Sequence, residues 1–396
     1  MGSHSRRAPQ HHRVRRMALM FITPLALLTL IGLIWFWPGD AGPGDKAGDF
    51  SEFTGQVTAT HAQECTDPAM EEMTGCGTAT VTLDDGKVLK DVEMSTQAGE
   101  EQYAVGDDVV VLGSELPDGW SYAIVDHQRA TGLWVLGLVF ALTLIAFGRW
   151  RGLTSLAGLA VTFVVLLFFV VPAILAGEPP LMVALVGSSA IMLTVLYLTH
   201  GFAPPTTVAV VGTVLSLVLT GVLASVAVGV LHLSGITDTD TMAVQMTYGV
   251  DMEGLLLAGI VIGSLGILDD VTVTQSVTVR EISRANPDYG PRDLYSAATR
   301  VGRSHIGSVV NTIILAYAGA SLPLFILVAA DNPSLGSVAT SPFVAQEITR
   351  SIVATLGLVA AVPITTGLAA LALRHQPGDG DPDDPDPVGL GHLHHH

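Results

Sequence analysis

The chain has 396 residues and a formal net charge of −18, and it is 49% hydrophobic but only 14% charged. About a quarter of the residues in a soluble domain are charged, so this scarcity excludes an ordinary soluble protein. The acidic balance excludes a nucleic-acid binder, which needs a basic face.

The charges are also segregated. Between Asp40 and Arg129 there are 19 Asp and Glu against four Lys and Arg, and five more Asp lie between Asp379 and Asp386. Long apolar runs elsewhere carry almost no charge, which is how a chain divides itself between lipid and water. A bilayer core takes roughly 20 apolar residues per helix. On that basis eight spans are predicted: Met17–Trp37, Thr131–Phe147, Leu153–Leu175, Leu181–Leu198, Thr206–Leu231, Glu253–Val273, Ile306–Ala330 and Ile352–Leu373.

The domains then read as a basic tail (1–16), a first transmembrane helix (17–37), a soluble domain (38–130), a seven-helix membrane domain (131–374) and an acidic, His-ending tail (375–396). The Asp-Pro-Gly repeats of that tail favour disorder, and its histidines read as tail composition or a tag remnant. The first span has a basic start like a signal peptide. Its apolar run continues into Trp35, Phe36 and Trp37, an interface anchor, and no small-residue cleavage site follows, so an uncleaved anchor is expected.

Orientation follows from arginine. Starting from Arg6, Arg7, Arg13, Arg15 and Arg16, eight alternating spans leave thirteen of fifteen arginines on the cytoplasmic side. Both termini are expected in the cytoplasm, and residues of about 38–130 outside a bacterial cytoplasmic membrane.

The external segment reads as short strands. Thr78–Leu83, the turn Asp84-Asp85-Gly86-Lys87 and Val88–Met94 form a hairpin signal, and further strands are expected at Phe53–Thr60, Val109–Leu112 and Trp120–Val125. The spacing predicts a small β-barrel or sandwich, with an OB-like barrel among the candidates. Cys65 and Cys76, the only cysteines, both fall here, where a disulfide is the expectation. Two thiols make a poor zinc site, and no metal or cofactor is expected. The loop Ala62–Thr74 is the segment to test for ligand contact. Asp238, Asp240, Asp251 and Glu253 read as a solvated outer loop.

Charged residues within spans mark function by default. The sixth span has Gly259, Gly263 and Gly266, a small-residue series that permits close helix approach. Leu268-Asp269-Asp270-Val271-Thr272-Val273-Thr274-Gln275-Ser276 comes next. Adjacent residues on a helix point about 100° apart, so the two carboxylates serve different faces. Asp270, Thr274 and Thr278 share one stripe, and Asp269, Thr272 and Ser276 another. A coupling or ion-binding role is expected for Asp269, Asp270, Thr272, Thr274, Gln275 and Ser276. Simple capping of the helix end is unfavourable, because Asp there opposes the dipole. Anchoring to Arg280 or Arg303 is the structural alternative.

Pro291–Arg300 reads as an amphipathic surface helix. The seventh span then opens with Arg303, Ser304, His305 and Ser308, continuing to Asn311 and Thr312, and these are candidate partners of the Asp pair. Ser216, Thr220, Thr365 and Thr366 in other spans are adequately explained by packing. The two threonines come just after Pro363, where hydroxyls can satisfy carbonyls freed by the proline.

Leu268-Asp-Asp-Val-Thr-Val-Thr-Gln275 resembles the YibE/F-like family of bacterial membrane proteins. The resemblance extends to Gly148-Arg-Trp-Arg-Gly-Leu153, Arg303-Ser304-His305 and Asp126-His-Gln-Arg129, and covers about Asp49 to Ala372. It implies a multi-pass protein of the cytoplasmic membrane, commonly described as a transporter, with no settled substrate. A weaker resemblance is to the SecF half of the SecD/SecF motor. There Asp270 would match the intramembrane Asp and Arg280-Glu281-Ile282 the segment after it, although this chain has two extra spans and a longer gap. That resemblance implies proton-coupled cycling.

A proton- or cation-coupled secondary transporter or exporter is therefore expected. The alternative is a SecF-like or other accessory protein whose outer domain binds a partner. No Walker A loop, H-E-x-x-H or G-x-S-x-G occurs, and adjacent Asp residues do not suit an aspartyl protease, so an enzyme is not expected. The expected partners are the lipid bilayer, a small solute or ion, and a second copy or another membrane protein.

Overall fold

The structure is a computed structural model that describes residues 10–39, 50–63, 73–97, 101–116, 119–237, 239–323, 325–326, 336 and 339–373. It divides into two compact units, Pro43–Leu156 and the remainder, Met1–Gly42 with Ala157–His396.

The first unit holds five strands: β1 (Phe50–Ala62), β2 (Met73–Leu83), β3 (Val88–Gln97), β4 (Asp108–Leu116) and β5 (Gly119–His127). They close into a barrel in the order β1-β2-β3-β5-β4, with β4 pairing back onto β1 and β3 running parallel to β5. The expected hairpin is present. Leu83 N–H donates to Lys87 O at 2.8 Å, and Gly86 takes φ +87°, a conformation that costs glycine least.

Alternation puts Val57, Val81, Leu83, Val109, Val111 and Ile124 into the core. On β3 the buried residues Leu89 and Val92 are three apart, which strict alternation forbids. The register shifts there, and Asp91 adopts φ +57°, so the extra residue of a bulge returns Val92 to the inside. The barrel thus has its own dry core and no open edge. Asp126 accepts a hydrogen bond from Arg129 at 2.6 Å just before α2 (Ala130–Gly148) begins. No residue of α2 is buried.

Of the expected cysteine bridge, Cys76 is buried on β2, whereas Cys65 lies outside the described residues, as do 64–72 of the loop proposed for ligand contact.

The second unit contains α1 (Gln10–Trp35), α4 (Pro180–His200), α5 (Pro204–Leu231), α6 (Thr239–Tyr248), α7 (Met252–Ala285), α8 (Pro291–Ala320) and α9 (Pro342–Ala372). α3 (Trp150–Leu175) runs into it and carries a π turn at Leu166–Val170 beside Pro172. Among the described residues six helices are long and apolar enough to cross a membrane: α2, α3, α4, α5, α7 and α9. This is a helical, multi-pass membrane architecture.

Two of the eight expected spans are not among these six. The helix α1 reaches from before the expected start of the first span to Trp35, and Met20–Trp35 is its apolar stretch among the residues whose side chains are described. The expected seventh span, Ile306–Ala330, does not stand as a separate element. It joins the expected surface helix in α8, a single helix of 30 residues. Asp293 caps the N-terminus by accepting from Gly290 N–H, Pro291 occupies the first turn, and no proline interrupts the remainder of the helix. The segment expected as an outer loop contains α6.

α5, α7 and α9 form the centre. Lipid is as apolar as leucine, so van der Waals fit and hydroxyl bonding hold such helices together. Leu217, Leu268, Ala258, Val261 and Ala361 are fully or nearly fully buried among them. Gly212 lies directly against Thr365, and Gly357 directly against Thr220, so α5 and α9 cross too closely for any Cβ at either glycine.

Candidate functional site

α7 positions the site. Its 34 residues span about 51 Å at 1.5 Å each, against a hydrocarbon core of about 30 Å. The expected end at Val273 is therefore passed by three further turns, which carry Arg280 and Arg284.

The two carboxylates separate as the 100° step requires. Asp269 lies on the partly buried side, next to the fully buried Thr272 and Ser276. Its Oδ1 is buried and has no hydrogen-bond partner among the described residues. Thr272 donates to the Asp269 backbone carbonyl at 3.1 Å, and its hydroxyl meets that of Thr213 on α5 at 2.6 Å. Asp270 is exposed. Among the described residues neither carboxylate forms an ion pair, so the expected anchors Arg280 and Arg303 do not hold them.

A cleft of about 280 Å³ opens between α7 and α8. Thr274, Gln275 and Thr278 line it from α7, and Ser304, His305 and Ser308 from α8. The structure thus brings together five of the expected residues, with Thr278 added one turn beyond Thr274. It does not bring the α8 residues to the Asp pair. Arg303, Asn311 and Thr312 are exposed and do not line the cleft, and Thr312 donates to Ser308 O.

Gln275 fixes the floor of the cleft. Its Nε2 donates to Ala298 O at 2.8 Å across the two helices. A carbonyl can only accept, so the amide orientation is set and Oε1 is left on the other side, against Gly302.

The three glycines differ in their surroundings. Gly259, Gly263 and Gly266 lie on the exposed side of α7. Gly259 and Gly266 have open space beside them, and the nearest neighbour of Gly263 is the Tyr317 hydroxyl. A small-residue series permits close approach without requiring it, and the tight crossings use Gly212 and Gly357 instead.

Ser216, Thr220 and Thr366 donate to carbonyls four residues back on their own helices, consistent with packing roles. Thr366 bonds Val362 O, not the Val359 carbonyl that Pro363 frees, and Thr365 Oγ1 is buried without a partner among the described residues.

Two features were missed. Thr213 continues the Ser216–Thr220 stripe at helical spacing, a readable signal. Glu347 and Arg350 form a 2.9 Å ion pair on α9 that is 17% and 30% exposed, at the i, i+3 spacing that pairs side chains on a helix.

The fold and site define a polytopic helical membrane protein with a polar, carboxylate-bearing central helix. The chain belongs to the YibE/F-like protein family, whose model matches residues 136–375. No curated protein and no solved structure matches it.

Proposed function

We propose that this protein is a secondary transporter or exporter of the bacterial cytoplasmic membrane, coupled to protons or another cation, with Asp269 as its working carboxylate. One observation carries the reading: a carboxylate oxygen on a membrane helix is buried and unpartnered among the described residues. A carboxylate kept only for architecture is paired or hydrogen-bonded. One that must take up and release a cation is not permanently satisfied. Asp270 and the α7–α8 cleft would form the access side, where Thr274, Gln275 and Ser308 meet the solute.

The arginine distribution supports cytoplasmic termini and an external barrel. Parallel pairing of β3 with β5 and closure of β4 on β1 support an OB-like reading of that barrel. The chain acts without enzymatic chemistry in this reading. Its partners are the bilayer, a small solute or ion, and a second copy or another membrane protein.

The test is reconstitution into liposomes under an imposed pH gradient, with a panel of ions and small solutes. Gradient-dependent flux of at least one of them is expected, and no flux above protein-free liposomes for any of them would contradict the reading.

The accessory-protein reading is favoured by one feature of the barrel. Phe53, Tyr122 and Trp120 crowd around Gly113, and Trp120 remains 47% exposed. Exposed tryptophan is a common anchor for protein partners. Co-purification of a stoichiometric partner that Trp120→Ala abolishes would favour this reading.

A further inference from the structure

We propose that the α7–α8 cleft binds a small monovalent cation through oxygen and imidazole lone pairs. This rests on the transport reading above and names the ion class its site would take.

The argument is an inventory of donors and acceptors. The hydroxyl of Thr278 donates to Thr274 O at 2.7 Å, and that of Ser304 donates to Val301 O at 2.7 Å. Each hydroxyl has one proton, so both present lone pairs to the cleft. Gln275 has its Nε2 committed to Ala298 O and keeps Oε1 beside Gly302, which lines the same cleft. A neutral His305 adds one acceptor nitrogen.

The fixed groups of the cleft are therefore acceptors, contributed by two helices. A cation meets these fixed lone pairs, whereas an oxyanion could draw only on the uncommitted protons of Thr274, Ser308 and the His305 ring. Arg300 and Arg303 do not line the cleft, and Asp270 lies one helical turn before Thr274 with no ion pair among the described residues.

Size narrows the class. The volume of about 280 Å³ is at or below the lower end for organic ligands, about 300 Å³. Ammonium-type ions and alkali ions share the required chemistry.

The test is equilibrium dialysis of the full-length protein in detergent against radiolabelled methylammonium chloride. Sodium chloride and glycerol serve as competitors, and radiolabelled phosphate is dialysed separately. Saturable methylammonium binding is expected. Displacement by sodium assigns the site to alkali ions as well, and failure of sodium to displace assigns it to N–H-bearing cations. A hydrogen bond to a charged group is worth about 1.5–3 kcal/mol, so Thr278→Val and Ser304→Ala should each weaken binding about tenfold or more.

Gly302→Ala supplies an independent check. Its Cβ would come within 2.8 Å of Gln275 Oε1 and 2.7 Å of Val362 Cγ1, so it should displace the amide oxygen and weaken binding, read on protein whose unfolding temperature is measured alongside. Phosphate or glycerol occupying the site in place of the cation overturns the proposal. So does methylammonium binding that all three variants leave unchanged, or the absence of saturable cation binding. Cation binding by a protein whose Asp269→Asn variant still transports would sink the coupling role of Asp269 and leave the cleft assignment standing.

Discussion

The hydroxyls of Thr213 and Thr272 meet at 2.6 Å between α5 and α7, three residues along α7 from Asp269. Each has one proton, so when Thr213 donates across the contact Thr272 donates to Asp269 O, and Thr213 gives up the Ala209 carbonyl on its own helix. The contact therefore ties α5 to the backbone of the carboxylate-bearing turn. Interhelical hydrogen bonds in membranes average about 0.6 kcal/mol and reach about 1.7 kcal/mol in double-mutant cycles. Thr213→Val and Thr272→Val should show a coupling energy in that range by reversible unfolding in mixed micelles. Strict additivity of the two would mean that the contact holds nothing.

The close crossing of α5 and α9 gives a second prediction. Gly357→Ala would drive a Cβ into the Thr220 hydroxyl and should destabilise the protein by about 1–3 kcal/mol. Adding Thr220→Ala should recover most of the loss, because it removes the group that is struck. Thermal unfolding of the three variants checks this. A double variant no more stable than Gly357→Ala would place the cost elsewhere.

In the β-barrel, the Arg129 hydrogen bond, with a smaller contribution from His127 N–H, holds the Asp126 carboxyl below its ordinary value of 3.8. A depressed folded-state value stabilises the fold fully above 3.8 and loses that contribution as pH falls through the folded-state value. Both side chains are exposed, so the effect is small. Arg129→Gln should lower the unfolding temperature at neutral pH, and the difference should vanish in acid below 3.8. A difference that grows in acid would reverse the sign of the argument.

Much of this architecture is legible in the sequence, for identifiable reasons. Apolar run length marks α2, α3, α4, α5, α7 and α9, and Asp84-Asp85-Gly86-Lys87 marks the β2–β3 turn. Closure of the barrel is not legible. It depends on β1 meeting β4 and β3 meeting β5, pairings distant in sequence. The continuity of α8 was obscured because its two halves differ in composition, although no proline separates Thr299 from Ile306. The 100° step predicts that Asp269 and Asp270 part company. Which of them turns inward depends on where the neighbouring helices lie. The Gly259–Gly263 step is subject to the same limit, since local sequence states what contact is possible and tertiary packing decides where it occurs.

The split of the carboxylates predicts different stability effects. Asp270→Asn changes an exposed group and should leave unfolding within about 0.5 kcal/mol of the wild type. Asp269→Asn removes a buried carboxylate that has an unpartnered oxygen, so it should not lower the unfolding temperature. Marked destabilisation by Asp269→Asn would show instead that the carboxylate is an architectural tie.

The most direct measurement is pH-gradient-driven flux in liposomes containing equal amounts of folded wild type and Asp269→Asn, monitored with whichever solute the wild type carries. The account predicts wild-type flux that collapses when the gradient is dissipated, and flux by the Asn variant no greater than that of protein-free liposomes. Equal flux by the two proteins would contradict the assignment of Asp269 as the working carboxylate.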